Sequence, residues 1–271
     1  MTGLALTGVT GAVGGAVAAE LAAAGDALTI LVRDPARAPD LPGADVRVVA
    51  SYGDYSAVRD ALDGANTLFL VSAKESADRL DQHRCAVDAA VAAGVRRIVY
   101  LSFLSAAPDA TFTFARDHFH TEAHIRASGA AFTFLRSSLY ADFVPGMVWD
   151  DGAIKGPAGD GAVAWVARAD VAACAAAVLN HDGHEGRTYD LTGPRAWTMA
   201  ETAALLGARY VPETLDEARA SRAGYGAPAW EVEGWVTSYA AIATGEMDVV
   251  SDSVRRLTGR EARSLEQVVG A

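Results

Sequence analysis

Thr7-Gly8-Val9-Thr10-Gly11-Ala12-Val13-Gly14 follows the short apolar run Leu4-Ala5-Leu6 and opens a segment in which Val13, Val17 and Leu21 recur every fourth residue. The run before it reads as a strand and the repeat after it as a helix with one apolar stripe. Gly8, Gly11 and Gly14 thus stand at G-x-x-G-x-x-G spacing in a strand-to-helix turn. One glycine lets the chain turn sharply after the strand, and one lets the backbone approach a ligand's pyrophosphate. The third lets the helix pack against the sheet, a role that Gly15 can share. The helix start adds free N–H groups and a positive dipole end. A glycine triplet alone says little; the strand before and the helix after give it meaning. This context predicts that Gly8, Thr10, Gly11, Ala12, Val13 and Gly14 cradle a dinucleotide.

Working outward, strand-like runs fall at 3–7, 27–32, 45–49, 67–72, 96–102 and 131–136, and helical stretches at 13–24, 55–62, 75–93 and 117–128. Runs such as Thr67-Leu68-Phe69-Leu70-Val71 are apolar throughout, as a parallel sheet covered on both faces requires. The alternation predicts an α/β fold, a Rossmann-type doubly wound parallel sheet, with a smaller and mainly helical C-terminal lobe. The expected division is a Rossmann domain over 1–139 and a substrate lobe over 140–271, with about 162–192 returning to the Rossmann core.

The second half reads differently. Residues 140–162 are rich in glycine and proline and carry Trp149, which predicts a long functional loop. Asp170 is placed to cap a helix over Val171–Leu179. Arg187–Leu191 reads as a strand ended by Gly193-Pro194. Thr198-Met199-Ala200-Glu201 and Thr214-Leu215-Asp216-Glu217 have capping-box form and mark two helix starts. Trp230 and Trp235 are expected in the C-terminal lobe.

Bulk properties narrow the partners. The 271 residues carry 23 basic and 34 acidic side chains, a net charge of −11. Such a chain repels nucleic-acid phosphates and anionic lipid, so neither is expected as a partner. No basic segment followed by an apolar run stands at the start, and no apolar run is long enough to span a bilayer, so a cytoplasmic location is expected. Cys85 and Cys174 read as small buried hydrophobes in a reducing compartment. His120 and His124 share a helical face, but His118 points roughly 160° away from His120. No carboxylate or thiol set completes a metal site, so none is expected.

The second strand ends Ile30-Leu31-Val32-Arg33-Asp34-Pro35. A site built for NADH places a carboxylate at this strand end, to accept from the ribose hydroxyls. Here the first polar side chain is Arg33, with Arg37 a turn later, and a guanidinium fork suits the 2′-phosphate of NADPH. Asp34 is either the ribose acid or a local cap. Arg33 favours NADPH over NADH.

Beyond Thr7–Gly14, several segments carry a family resemblance: Ile98-Val99-Tyr100-Leu101-Ser102, Asp117-His118-Phe119-His120-Thr121-Glu122, Ala158-Gly159-Asp160-Gly161, and Gly183-His184-Glu185-Gly186-Arg187-Thr188-Tyr189. Along essentially its whole length the chain resembles the NmrA-like group of atypical short-chain dehydrogenases, and within it the NADPH-dependent quinone oxidoreductases of type 2. Ordinary members of the superfamily use a Tyr-x-x-x-Lys pair, in which the tyrosine protonates the substrate oxygen. Placing Glu122 on the family's glutamate puts Phe114 at the tyrosine and His118 at the lysine, and Phe114 has no proton to give.

The resemblance therefore implies hydride transfer to a quinone-like or other conjugated small-molecule acceptor, whose product anion needs only a weak acid or water. His118 is the candidate acid and a candidate contact to the nicotinamide ribose, against the alternative of a surface histidine. The resemblance places Ser72 beside the cofactor, and Ser102 ends a strand on the cofactor side. Phe103, Tyr140, Phe143 and Trp149 are candidates for an aromatic substrate wall. A non-enzymatic NADP(H)-sensing regulator of the NmrA type is the alternative function, and a homodimer is left open.

Overall fold

The computed structural model describes residues 3–270. In chain order its elements are β1 (Leu4–Leu6), α1 (Ala12–Ala23), β2 (Leu28–Val32), β3 (Asp45–Val48), α2 (Tyr55–Ala61), β4 (Thr67–Val71), α3 (Arg79–Ala92), β5 (Arg97–Phe103), α4 (Thr113–Ala127), β6 (Ala131–Ser137), β7 (Ala153–Gly156), β8 (Ala162–Val163), α5 (Arg168–Asn180), β9 (Arg187–Leu191), β10 (Trp197–Thr198), α6 (Met199–Leu205), β11 (Arg209–Pro212), α7 (Leu215–Arg222), α8 (Ala229–Ala243), α9 (Ser253–Thr258) and α10 (Leu265–Val269).

Seven strands form one sheet in the order β3-β2-β1-β4-β5-β6-β9, and the ladders from β3 through β5 are parallel. This is the expected Rossmann-type α/β fold. Leu4 sits in register with both Leu28 and Thr67, so β1 has a neighbour on each side. The order reverses between β1 and β4, and at such a reversal the loops at the carboxyl ends of the strands diverge and leave a crevice. Thr7 marks that point. Its N–H and hydroxyl both donate to the Phe69 carbonyl, and its Oγ1 accepts from the Val71 N–H at 2.9 Å.

The chain forms two compact units. One comprises residues up to Ser102, Phe119–Leu135 and Val171–Tyr189; the other comprises Phe103–His118, Arg136–Asp170 and Asp190 onward. The first unit's core includes Leu31, Leu68, Leu70, Ile98, Tyr100, Ile125 and Phe134. These residues come from strands that are apolar on both faces and from the helices covering them, and their burial supplies most of the driving force. β3 differs: Val46 and Val48 are 43% and 55% exposed, as befits an edge.

The second unit corrects two local expectations. Residues 140–162 are not one long loop. They contain a 3-10 turn over Ala141–Met147 and the strands β7 and β8, which pair with β11 and β10. The partners lie some 35 to 55 residues further along, so no local pattern announces them. Asp170 does not cap α5 but lies in its first turn, fully buried. Its carboxylate accepts from the Arg263 backbone N–H at 2.6 Å, from Arg260 Nη1 at 3.0 Å and from Arg263 Nη1. It thereby ties the C-terminal segment down.

We expect Asp170→Ala to cost about 2 kcal/mol, since a buried N–H loses its acceptor while both guanidinia can rehydrate. A thermal melt should fall by roughly 4–8 °C for a domain of this size. An unchanged melting temperature would mean that this tie contributes nothing.

Both predicted capping boxes are present, at Thr198 with Glu201 and Thr214 with Glu217, and a third stands at Ser264 with Gln267. No described helix is long and apolar enough to cross a membrane. Cys174 is buried as expected, whereas Cys85 is only half-buried on α3.

Candidate active site

The glycine turn divides its roles much as the spacing predicts. Gly8 adopts φ +67°, and a Cβ there would come within 2.6 Å of the Val71 side chain. Gly14 lies under the turn, where a Cβ would overlap the Gly8 carbonyl oxygen, and a Cβ on Gly15 would come within 2.9 Å of the Val9 carbonyl oxygen. Gly11 is the exposed N-cap of α1, and its N–H donates to the Gly8 carbonyl at 2.9 Å. No side chain caps this helix and no acid lies in its first turn. An N-terminus left with free amides and no anion of its own is suited to an external phosphate. Val13 and Gly14 are buried, so both contribute through backbone, while Ala12 and Thr10 are exposed.

Above this turn a cavity of about 360 Å³ is lined by Gly8, Thr10, Leu31, Val32, Arg33, Val49, Ala50, Ser51, Tyr52, Ser72, Ala73, Lys74, Glu75, Ser76 and Gln82. It opens at the carboxyl ends of β1, β2, β3 and β4, the crevice that the strand order predicts. Arg33 and Ser72 both line it. Asp34 acts as a cap: its Oδ1 accepts from the Ala36 N–H at 3.0 Å and starts the turn Pro35–Arg37. Arg37 lies in that turn and is not part of the lining.

Tyr52, Lys74, Glu75 and Gln82 were not foreseen from the sequence. The Tyr52 hydroxyl donates to the Val71 carbonyl at 3.1 Å, and burial pushes its pKa to about 12. It is therefore a neutral ring in the wall. The signal that could have found these residues was positional: Tyr52 follows the carboxyl end of β3, Lys74 and Glu75 follow that of β4, and Gln82 lies in the first turns of α3.

The other candidates fall into several groups. Ser102 is buried, and its hydroxyl donates to Glu122 Oε1 at 2.7 Å; Glu122 Oε2 also accepts from Arg126. A buried carboxylate needs such donors, which accounts for the serine. In the second unit His118 is buried rather than on a helix surface, with its ring 6.0 Å from that of Phe103. Phe103 in turn meets Phe112 at 5.0 Å. Phe114 meets Phe112 at 5.5 Å and Trp230 at 6.0 Å, and its ring lies so close to Gly234 that a Cβ on that glycine would overlap Phe114 Cζ.

Tyr140 and Phe143 are 5.9 Å apart, with the Arg168 guanidinium 4.0 Å above the Phe143 ring. Trp149 carries Lys155 Nζ 4.7 Å above its ring. Burial raises the Tyr140 phenol above its usual range. His124 pairs with Asp88 at 2.7 Å, and no three metal-ligating side chains cluster among the described residues.

Residues 8–182 match the protein family described as NAD(P)H-binding. The chain belongs to that family. The match begins at Gly8, the first glycine of the turn, and takes in every residue of the cavity lining. Among solved structures, this family member is similar to the NADPH-dependent quinone oxidoreductase of Escherichia coli complexed with NADPH: 34% identity, TM-score 0.89, covering 98% of this chain and 99% of that one. Among curated proteins, it is 38% identical over 271 residues to the (4-alkanoyl-5-oxo-2,5-dihydrofuran-3-yl)methyl phosphate reductase of Streptomyces griseus, covering 95% of this chain and 93% of that one. Nmra, a negative transcriptional regulator solved with NAD, shares the fold at TM-score 0.76 and 18% identity, covering 98% of this chain and 93% of that one. The NmrA-like resemblance and the dinucleotide expectation therefore hold, and the chain is an NAD(P)H-dependent oxidoreductase.

Proposed function

We propose that this protein uses NADPH to reduce a small conjugated acceptor, a quinone or a similarly electron-poor ring, without a tyrosine proton donor. The observation that carries the cofactor preference is the cavity wall. Arg33 lines it, while the neighbouring Asp34 is not part of the lining and accepts the Ala36 N–H at its Oδ1. At Gly11 a Cβ would meet only the Gly8 carbonyl oxygen, so the backbone there is open to close approach of a pyrophosphate, and the uncapped start of α1 would hold its charge. The bound nicotinamide supplies the hydride; the chain's own residues bind, orient and exclude water.

Support for the acceptor class comes from the relatives. One is named for quinones, and the other for a dihydrofuranone phosphate whose name describes a carbon–carbon double bond conjugated to carbonyls. Acceptors of both kinds take a hydride at an electron-poor carbon and leave a delocalised anion. Such an anion is readily protonated from solvent or by a histidine. Phe103 and the buried His118 are the pair we assign to the acceptor, with Tyr140 and Phe143 beside Arg168 as a second candidate wall.

The test is a panel of quinones, enones and simple ketones, followed by NADPH absorbance at 340 nm. Turnover on conjugated acceptors and none on simple ketones is expected. Tight NADPH binding with no turnover on any acceptor would remove the enzyme reading and leave the sensing one. Restoring a tyrosine is not expected to restore ketone reduction. In Phe114→Tyr the ring stays packed against Phe112, Trp230 and Gly234, and His118 stands where the usual mechanism has the lysine that lowers the tyrosine's pKa. An unchanged acceptor range is the expected result, and gained ketone turnover would contradict it.

A further inference from the structure

Five of the cavity-lining residues, Ser72 through Ser76, belong to the connection between β4 and α3. Exposed connections of this kind are ordinarily the mobile part of a binding site. Here one residue in it is gripped through both of its backbone polar groups. The Ala73 N–H donates to His83 Nε2 at 2.9 Å, and Arg79 Nε donates to the Ala73 carbonyl at 3.0 Å. Arg79 and His83 are four residues apart on α3 and so lie on one face of it, both buried.

The histidine is itself held. Its Nδ1 lies 2.9 Å from Thr121 Oγ1 on α4, and its ring meets Tyr100 of β5 edge-on at 6.0 Å. Because Nε2 accepts from a backbone N–H, the ring hydrogen is on Nδ1 and donates to the threonine. Burial, with help from the Arg79 charge, lowers the His83 pKa to about 3, so the ring is neutral under any ordinary condition. A leucine would fill this space without desolvating two polar groups. The buried imidazole, oriented by Thr121, and Arg79 hold the two backbone polar groups of Ala73, and Ala73 lies in one wall of the cavity.

We propose that His83, supported by Arg79 and Thr121, is a positioning residue for the dinucleotide: it fixes the Ala73 peptide so that Ser72 and Lys74 face the cavity that Arg33 also lines. It acts through Ala73 and need not touch the cofactor. The inference rests on NAD(P)H binding in this cavity.

The test measures dissociation constants for NADPH and NADH by fluorescence, kcat on the best quinone, and melting temperature, in the wild type, His83→Leu, His83→Gln and Thr121→Val. Leucine removes the acceptor and leaves the Ala73 N–H unsatisfied. It should weaken both cofactors roughly tenfold, while kcat at saturating NADPH stays within about twofold. Glutamine offers an amide oxygen to the same N–H and should recover most of that loss. Thr121→Val keeps the shape but removes the group that orients the ring, and it should weaken binding by roughly threefold to fivefold in a folded protein. A long-range proton–nitrogen spectrum of the wild type should show the hydrogen on Nδ1.

Unchanged affinity in His83→Leu would overturn the proposal. So would equal losses in the leucine and glutamine variants that track their melting temperatures, because that pattern marks a purely structural histidine. Should His83→Leu fail to fold, unchanged affinity in Thr121→Val would overturn it instead. A wild type that binds neither cofactor would remove the underlying reading rather than the grip on Ala73.

Discussion

Arg33→Ala is expected to weaken NADPH binding by roughly 10- to 150-fold and to leave NADH within about twofold to threefold. The range is the worth of a hydrogen bond to a charged group, about 1.5–3 kcal/mol, converted to a dissociation constant. The selectivity arises because the guanidinium lines the cavity and Asp34 does not, so the cofactor carrying the 2′-phosphate gains from the arginine. Arg33 is exposed in the free protein, so the contact is screened and its contribution should shrink as salt rises. Fluorescence titrations with both cofactors at low and physiological ionic strength would measure it. Equal losses for NADPH and NADH would show that Arg33 does not read the phosphate.

Gly14→Ala should weaken binding of both cofactors together, on the order of 100-fold. The added Cβ would overlap the Gly8 carbonyl oxygen, and its next neighbours are the Gly8 carbonyl carbon at 2.6 Å and the Val9 nitrogen at 3.1 Å. All three are backbone atoms, so no rotamer change relieves the clash and the start of α1 must move away from the turn. Overpacking of this kind costs about 1–3 kcal/mol of stability. Displacing the positioned amides by an ångström would cost on the order of 100-fold in function.

Gly11→Ala is the control. A Cβ there meets only the Gly8 carbonyl oxygen at 3.3 Å, and the backbone is extended at φ −97°, ψ 168°. The free protein should melt near the wild-type temperature, and a defect should appear only when cofactor is added. Titration of both variants, with thermal melts alongside, separates the two roles. A Gly14→Ala variant that binds NADPH normally would mean that the helix start is not held by this contact.

The parts of this protein whose physics is local were legible along the chain. The apolar strands and the stripe of Val13, Val17 and Leu21 dictate where strand and helix form, and the spacing of Gly8, Gly11 and Gly14 dictates the turn between them. The capping boxes at Thr198 and Thr214 close over four residues, so four residues suffice to read them. Arg33 was legible for the same reason, because it ends a strand whose place in the βαβ unit is set by pattern alone.

The remainder of the site is carried by polar and aromatic groups that meet across long separations. Asp170 looks like a cap until Arg260 and Arg263 arrive from 90 and 93 residues away. Phe114 looks like a vacated tyrosine until Gly234 packs against its ring. His83 reads as an ordinary helical residue until the loop that it holds and the threonine that holds it come together. Hydrophobic periodicity records which face of an element is buried, but it carries no address for the partner. A hydrogen bond between residues 38 positions apart, such as that of His83 and Thr121, leaves no period in the chain.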